Sequence, residues 1–203
     1  MIKYMCQLIE SIQVVSGKAF RLPYHEQRMN RSRKALFHTI EPIRLSDLEV
    51  PLSYRTGKYK CRIVYRQDIE RISFVPYHSQ SFDRFVIEEA DFDYQYKFLN
   101  REAIHYYKQQ YPKTTEVIFT RKGRICDSSF SNLIFKNKNT GQWETPASYL
   151  LGGTQRQYLL DQKMITEKEI QVTDLKNYSH FMLINALLEF DEQRIYPINL
   201  ISF

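Results

Sequence analysis

The stretch Tyr96-Lys97-Phe98-Leu99-Asn100-Arg101 is the first of three short blocks that decide how this sequence is interpreted. The second block is Asp127-Ser128-Ser129-Phe130-Ser131-Asn132-Leu133-Ile134-Phe135, and the third is Leu151-Gly152-Gly153-Thr154-Gln155-Arg156-Gln157. In this order they offer an amine, a carboxylate and a glycine turn that leads into a helix. Each block alone is a weak signal, and their order and spacing are a stronger one.

The composition around these blocks is that of a folded protein. The chain has 203 residues, of which 43% are hydrophobic and 26% are charged, which fits one large domain or two small ones. Six Gly and seven Pro exclude collagen-like and low-complexity chains. The net charge of +6 is modest, and no recognition motif accompanies the basic run of residues 28–34. We therefore predict no nucleic-acid partner.

The sequence carries no sign of export or of membrane insertion. Its three cysteines form no C-x-x-C pair, and an odd number does not suit a disulfide framework. No apolar run approaches the roughly 18 residues needed to span a bilayer, and the N-terminus lacks a signal-peptide pattern. These features predict a cytoplasmic protein without a membrane partner, and no metal site is predicted.

The local patterns predict an α+β chain with two domains, a small α+β domain at 1–90 and a larger β-rich domain at 91–203. In the first domain we expect strands at 2–9, 11–15, 58–66, 69–76 and 82–89, a helix at 24–38, and a short helix opened by the capping-box spacing of 46–49. In the second we expect a helix at 101–111 capped by Asn100, a helix from Gln155 capped by Thr154, and strands at 115–120, 131–136, 169–173, 180–184 and 194–199.

The candidate residues have plain structural alternatives. Lys97 lies among aromatic residues that could partly desolvate it and free its amine for covalent chemistry, although a lone lysine is usually a surface residue. Asp127 could be a turn or cap residue, and Arg28 could be a solvated cation that shares a helix face with His25. Glycines before a helix allow close approach of a phosphate to backbone amides, but such turns are common.

Taken together, the blocks resemble the class IV aminotransferases, which are fold-type IV pyridoxal phosphate (PLP) enzymes. The resemblance covers nearly the whole chain. It implies that Lys97 forms the Schiff base with PLP and that Asp127 faces the pyridine nitrogen. It also implies that Arg28, in His25-Glu26-Gln27-Arg28, binds the phosphate. The further cofactor-binding residues that it implies are Asn132, Gly153, Thr154, Gln155, Asn185 and Ala186.

The same resemblance implies an architecture and a partner. The expected fold is a small α+β domain and a larger β-rich domain with PLP in the cleft between them, assembled as a homodimer that acts on a small-molecule amine. Two departures stand out. The family usually has Glu where this chain has Asp127, and the chain starts close to the family's first strand, so one wall of the substrate pocket is expected to be missing or supplied by the other subunit.

The sequence leaves several alternative functions open. The sequence Lys97-Phe98-Leu99-Asn100-Arg101 resembles the lysine block of 4-amino-4-deoxychorismate lyase, which releases pyruvate and p-aminobenzoate. An amino-acid aminotransferase for branched-chain or D-amino acids is the second possibility. A non-catalytic binding protein that keeps the fold is the third, and a basic nucleic-acid-binding module is supported by charge alone.

Overall fold

The structure is a computed structural model that describes residues 6–46 and 48–202. The chain divides into two compact units. The first unit ends at His78 and also includes Tyr96–Asn100, and the second comprises Ser79–Gln95 and the chain from Arg101 onward. The expectation of an α+β fold is confirmed.

The division between the units differs from the boundary expected after residue 90. Strand β5, Arg84–Glu89, pairs in parallel with strand β6, Thr115–Arg121. Residues 79–90 therefore join the sheet of the second unit, although their composition alone resembles that of the strands before them. The return of residues 96–100 to the first unit has no local sequence signal, because it depends on a pairing with a distant strand.

The first unit contains one antiparallel sheet of four strands in the order β2-β1-β3-β4. Residues 8–15 form one strand where two were expected, and residues 2–5 of the expected first strand lie outside the described residues. Residues 48–50 are not helical, and Asp47 of the expected capping box is also outside the described residues. The strands are β1 (Leu8–Val15), β2 (Lys18–Ala19), β3 (Lys58–Tyr65) and β4 (Ile69–Pro76), and a short 3₁₀ helix spans Leu52–Tyr54.

A single long helix, α1 (Leu22–Phe37), packs against β1. Pro23 occupies its first turn, where a missing N–H costs nothing. The buried side chains recur at helical spacing and form one face that covers Leu8, Ile12 and Val14 of β1. The buried residues of that face are His25, Arg28, Met29, Ser32, Arg33, Leu36 and Phe37.

The second unit contains two sheets. One has the order β13-β5-β6-β7 and the other β10-β9-β8-β11-β12. The runs Val117-Ile118-Phe119 and Leu133-Ile134-Phe135 are fully buried, as expected for strands that are covered on both faces. The remaining strands are β7 (Arg124–Ser128), β8 (Asn132–Asn137), β9 (Trp143–Pro146), β10 (Thr166–Lys168), β11 (Tyr178–Ile184), β12 (Tyr196–Pro197) and β13 (Ile201–Ser202).

Two α-helices complete the second unit, together with 3₁₀ helices at Val172–Asn177, Glu192–Arg194 and Ile198–Leu200. Helix α2 spans Glu102–Lys108 and helix α3 spans Thr154–Asp161. The expected caps are displaced by one residue in each case, because the N-cap positions are Arg101 and Gly153 rather than Asn100 and Thr154. Neither N-cap residue makes a side-chain capping hydrogen bond. The backbone N–H groups in the first turn of α3 therefore donate to no N-cap side chain.

Residues 6–46 and 48–202 contain no helix that is both long enough and apolar enough to cross a membrane.

Candidate functional site

Lys97 lies at the edge of β1 in the first unit. The N–H of Ile9 donates to the carbonyl of Lys97 at 2.9 Å, and Phe98 faces Leu8 in an antiparallel bridge. Phe98 packs against the apolar core of this unit. Because successive side chains of an extended segment point to opposite faces, Lys97 is directed to the face of the sheet away from that core. Its side chain is half-buried.

Arg28 forms a buried ion pair with Glu10 of β1. The Nε and Nη2 atoms of Arg28 donate to the two carboxylate oxygens of Glu10 at 2.9 and 2.6 Å. The Nδ1 atom of His25 is 2.6 Å from the same carboxylate. Burial opposes ionisation of Glu10, but Arg28 and His25 outweigh it and lower the pKa of Glu10 to about 2. Burial lowers the pKa of His25.

Asp127 anchors a loop of the second unit. Its Oδ2 atom accepts hydrogen bonds from the backbone N–H groups of Leu150 and Leu151 at 2.9 and 2.8 Å. Its Oδ1 atom accepts one from Nδ2 of Asn132 at 2.8 Å. Burial raises the pKa of Asp127 to about 6, although these donors act in the opposite direction. The carboxylate is therefore a structural anchor for the residues that lead to α3.

Asn132 closes the same loop from the other side. Its Nδ2 atom also donates to the carbonyl of Leu151 at 2.9 Å. A Cβ atom at Gly153 would lie 1.8 Å from Oδ1 of Asn132, so only glycine fits there, although the backbone of Gly153 has ordinary angles. We name the three residues Asp127, Asn132 and Gly153 the loop latch, since together they hold residues 150–153.

Gly153, the last residue of the loop latch, immediately precedes the first turn of α3. The N–H of Gln157 makes a helical hydrogen bond to the carbonyl of Gly153 at 3.0 Å. The amides of Gln155 and Arg156 precede that bond, so they have no helical acceptor. The side chain of Gln155 is buried and its Oε1 atom accepts no hydrogen bond from the described residues. A helix N-terminus of this kind favours an anion.

Asn185 and Ala186 form the turn that follows β11. The Oδ1 atom of Asn185 accepts from the N–H groups of Leu187 and Leu188 at 2.8 and 3.0 Å. Residue Ile184 of β11 lies directly opposite Asn132 of β8. The turn therefore follows the end of β11 that lies beside Asn132 of the loop latch. Ala186 is buried.

Glu116, which the sequence did not single out, and Arg101, the last residue of the first block, support the segment between Asp127 and Asn132. Oε1 of Glu116 accepts from the N–H of Ser129 at 2.9 Å, while its buried Oε2 has no hydrogen-bond donor among the described residues. Arg101 donates to the carbonyl of Ser129. Burial raises the pKa of Glu116. The sequence signal that could have identified Glu116 is the presence of an acidic residue inside the otherwise apolar strand β6. Glu10 gives the same signal in β1.

The structure thus groups the expected residues within each unit. In the first unit Glu10 binds both Arg28 and His25 on the face that α1 covers, whereas Lys97, beside Ile9, is directed to the opposite face. In the second unit Asn132 contacts both Asp127 and Gly153, and the loop that they hold leads directly to Thr154 and Gln155. The expected role of each residue toward a cofactor stays a prediction.

The chain is similar to several known proteins. The sequence model described as "Amino-transferase class IV" matches residues 7–192. A crystal structure of a "putative 4-amino-4-deoxychorismate lyase" from Haemophilus somnus is 32% identical, covers 92% of this chain and 99% of its own, and has a TM-score of 0.81. A "putative aminodeoxychorismate lyase" of Schizosaccharomyces pombe is 27% identical over 194 residues, which are 84% of this chain and 81% of that protein.

The fold recurs in a structure that is less similar in sequence. A "putative amino-acid aminotransferase" from Mesorhizobium loti has a TM-score of 0.76 at 23% identity, with 95% of this chain and 98% of that chain covered. This likeness concerns the fold alone. The family match extends over most of the chain and includes every residue of the loop latch. The chain belongs to the class IV aminotransferases and is a PLP-dependent enzyme of that family.

Proposed function

We propose that this protein is a lyase that converts 4-amino-4-deoxychorismate into p-aminobenzoate and pyruvate. The observation that carries the proposal is the loop latch, which joins a buried carboxylate to the N-terminus of α3. The names of the Haemophilus somnus and Schizosaccharomyces pombe relatives and the sequence Lys97-Phe98-Leu99-Asn100-Arg101 favour the lyase over other reactions of the family.

The residues of the loop latch and of α3 fit PLP. A carboxylate has about four acceptor positions, and Asp127 uses three of them for Leu150, Leu151 and Asn132. One position therefore remains for the N–H of a protonated pyridine ring. The close approach of Gly153 to Asn132 leaves the first-turn amides of α3 unobstructed by a side chain at the N-cap, which suits a phosphate.

We assign the cofactor-binding roles accordingly. Lys97 forms the covalent bond to PLP and Asp127 pairs with the pyridine nitrogen. The expected phosphate role of Arg28 does not fit, because Glu10 occupies its guanidinium on the face that α1 covers, whereas Lys97 is directed to the opposite face of the sheet. The backbone of Gly153, Thr154 and Gln155 receives the phosphate. Asn132 holds Asp127, and the turn of Asn185 and Ala186 makes a second phosphate contact.

The side chains of this chain would perform three tasks in the reaction. When bound, PLP withdraws electrons from the carbon that carries the substrate amine. With PLP bound, the amine of Lys97 would take the proton from the carbon that carries the substrate nitrogen. It would then supply a proton to the enolpyruvate that is released when the ring carbon–oxygen bond breaks, and this product is pyruvate. The negative charge of Asp127 favours the protonated pyridine nitrogen. The ring that remains is p-aminobenzoate, and no oxidant or amino acceptor is consumed.

The test is to supply purified, PLP-loaded protein with 4-amino-4-deoxychorismate and no amino acceptor. We expect p-aminobenzoate and pyruvate in equal amounts over many turnovers. An aminotransferase would instead transfer the amine to the cofactor in one half-reaction and pass it to an acceptor in a second. Conversion of the cofactor to pyridoxamine phosphate by branched-chain or D-amino acids, without p-aminobenzoate formation, would replace the lyase by an aminotransferase.

The covalent role of Lys97 has its own test. Borohydride reduction of the loaded protein followed by peptide mass mapping should place the pyridoxyl group on Lys97. Lys97→Ala should lose the visible band of lysine-bound PLP, whereas Lys113→Ala, which removes an exposed lysine, should keep it. Labelling of another lysine in the Lys97→Ala protein would remove Lys97 from this role.

We further propose that the protein is a cytoplasmic homodimer that acts on a small-molecule amine. Ile72 and Val75 of the edge strand β4 each expose 41% of their surface, and apolar side chains on an edge strand favour association. Sedimentation equilibrium should give twice the chain mass. A monomer at micromolar concentration that retains full activity would contradict the dimer.

A further inference from the structure

Arg156 is a buried cation in the first turn of α3. Only 3% of its surface is exposed, and it follows the N-cap Gly153 by three residues. The N-terminal end of a helix carries a partial positive charge, so a second positive charge is unfavourable there. The first turn of α3 contains no acidic residue that would compensate it. The placement of Arg156 therefore depends on contacts outside the helix.

The guanidinium of Arg156 holds the start of the β9–α3 loop, residues 147–153. Its Nη2 atom donates to the carbonyl of Pro146, the last residue of β9, at 3.0 Å. Its Cζ atom lies 4.3 Å from the ring centroid of Tyr149, which is a cation–π distance. Nη2 also pairs with the carboxylate of Glu167 in β10. These three contacts fix the orientation of one planar group.

Asp127 holds the same loop from its other side. The N–H groups of Leu150 and Leu151, which follow the residue that stacks on Arg156, donate to Asp127 at 2.9 and 2.8 Å. The two charged side chains thus bind neighbouring positions of one short segment. A displacement of the segment at Arg156 would carry both amides away from the carboxylate.

The positive charge of Arg156 also acts on the carboxylate of Asp127. Burial raises the pKa of Asp127 to about 6, and Arg156 acts in the opposite direction. The neighbouring titratable groups supply no positive charge, because burial raises the pKa of the Cys126 thiol to about 12 and Glu116 of β6 is acidic. Since a pKa of about 6 is close to neutral pH, the surrounding charge decides what fraction of Asp127 is ionised.

The contacts of Arg156 do not satisfy all of its donors. Its Nε atom is buried and donates to no acceptor in the described part of the chain, which is unfavourable for stability. Apolar side chains of similar size are often at least as stabilising as a buried ion pair. The arrangement therefore points to a task for the charge itself.

We propose that Arg156 is a positioning residue for the cofactor: it holds the loop whose amides bind Asp127, and its charge favours the ionised form of that carboxylate. This inference rests on the proposed function, in which Asp127 pairs with the pyridine nitrogen, and deepens it by naming a residue that acts through Asp127. An ionised carboxylate stabilises a protonated pyridine nitrogen, whereas a neutral carboxyl group does not.

The first test measures the titration of Asp127 in the PLP-free full chain by NMR of isotope-labelled aspartate carboxyl groups. The signal is assigned by its loss in Asp127→Asn. Arg156→Gln removes the charge but keeps a donor for Pro146, and Arg156→Lys keeps the charge. Arg124→Gln is the matched control, because it removes a solvent-accessible cation, paired with Glu169, from the strand that carries Asp127.

We expect Asp127 of wild type to titrate near pH 6. In Arg156→Gln it should titrate about one pH unit higher, because a nearby opposite charge typically lowers the pKa of a carboxylate by about that amount or more. Arg156→Lys should titrate within about 0.3 pH unit of wild type, since the charge is kept. The same is expected of Arg124→Gln, whose charge is screened by solvent.

The second test follows amide hydrogen exchange of the β9–α3 loop, again without PLP. Exchange should be at least about threefold faster in Arg156→Gln and in Arg156→Lys, because neither side chain can bind Pro146 and Glu167 while it stacks on Tyr149. Arg124→Gln should exchange at the wild-type rate. Lysine should thus restore the titration of Asp127 but not the protection of the loop, which separates the two tasks of Arg156.

The effect on the cofactor is read from the pH dependence of PLP affinity, followed by the visible band. A carboxylate that must be ionised for binding and titrates near pH 6 makes the affinity about twofold higher at pH 8 than at pH 6. One that titrates near pH 7 makes it about tenfold higher. We therefore expect the dependence to be about fivefold steeper in Arg156→Gln than in wild type.

Three results would overturn the inference. They are a wild-type titration of Asp127 in Arg156→Gln, an Arg156→Lys protein that titrates like Arg156→Gln, and unchanged exchange of the loop in both variants. If Arg156→Gln does not fold, Glu167→Gln takes its place. It removes the negative partner of Arg156 and should lower the pH at which Asp127 titrates, and an unchanged or higher value would overturn the inference.

Failure of the proposed function looks different. The titration and the exchange are measured without PLP, so they report on Arg156 whatever reaction the protein catalyses. If both behave as expected but the loaded protein releases no p-aminobenzoate, the task of Arg156 stands and the lyase function does not.

Discussion

Asp127 and Asn132 hold each other in a buried pair, with Nδ2 of Asn132 donating to Oδ1 of Asp127 at 2.8 Å. The other oxygen of Asp127 accepts the N–H groups of Leu150 and Leu151. The carboxylate proposed to face the pyridine nitrogen is thus also the anchor of the loop that leads to the proposed phosphate site. The side chain of Asp127 is shorter than that of the family's usual Glu. It can still anchor the loop, because the N–H groups of Leu150 and Leu151 lie within hydrogen-bond distance of its carboxylate.

Asp127→Asn should weaken PLP binding as well as turnover. The carbonyl oxygen of the new amide can accept the N–H groups of Leu150 and Leu151. Its NH₂ group then faces the Nδ2 donor of Asn132, so two donors meet without an acceptor. A buried donor without an acceptor costs about 1–3 kcal/mol, so PLP affinity should fall about tenfold or more. A cofactor titration measures this. Asp161→Asn, at the C-terminal end of α3, is the control and should leave the affinity unchanged. Wild-type affinity in Asp127→Asn would contradict the anchoring role.

Gly153→Ala should destabilise the second unit. Its new Cβ would lie 1.8 Å from Oδ1 of Asn132, and overpacking typically costs about 1–3 kcal/mol. Urea unfolding measures the loss. The double variant Asn132→Ala/Gly153→Ala removes the collision and should be less destabilised than the sum of the two single variants. Strict additivity would show that the contact with Asn132 is not the cause.

Glu10 should make the first unit sensitive to acid. The pKa of Glu10 is about 2 in the folded protein against an ordinary value of 4.5, so its carboxylate contributes about 3 kcal/mol above pH 4.5. Since the folded pKa is the lower one, this stability is lost as the pH falls from about 4.5 toward 2. Denaturation curves of Glu10→Gln should depend less on pH in that window than those of wild type.

The control for this pH effect is Glu70→Gln. Glu70 forms an exposed pair with Arg66, and pairs of that kind contribute little. Its removal should leave the acid dependence of wild type intact. A Glu10→Gln protein with the wild-type slope would contradict the assignment of the acid sensitivity to the Glu10 carboxylate.

Arg28→Ala should unfold more readily than wild type. It leaves the carboxylate of Glu10 buried beside His25 without its guanidinium partner, and breaking such a buried pair costs about 3–5 kcal/mol. The double variant Glu10→Gln/Arg28→Gln removes both charges and should regain part of that stability. Because Arg28 and Lys97 lie on opposite faces of the sheet, the double variant should bind PLP with wild-type affinity. A loss of about tenfold or more in PLP affinity would instead assign Arg28 to the phosphate.

Local patterns predicted the longer strands and the helices within a few residues. The segment after Pro23 was correctly predicted to be helical, and the expected strands at 115–120 and 131–136 correspond to β6 and β8. Strand β7 between them was not predicted, and the strand expected at 169–173 is wrong, because a 3₁₀ helix begins at Val172. The capping motifs were less informative. Thr154 was expected to be the N-cap of α3 but is its first helical residue. The spacing of Thr154 and Gln157 alone does not distinguish these two positions. Residues 82–89 were assigned to the wrong sheet, since parallel pairing with β6 leaves no mark in their own sequence.

The sequence by itself determined which chemical groups are present and in what order. The amine of Lys97, the carboxylate of Asp127 and the glycine turn before α3 are read from residue identity and spacing, and they are sufficient to resemble the class IV family. Only the tertiary structure decided what each group contacts. The pairings of Glu10 with Arg28, of Asp127 with Asn132, and of Lys97 with Ile9 join residues that lie far apart in the chain or on separate strands. Such pairings depend on strand register, and a shift of one residue would turn each side chain to the opposite face.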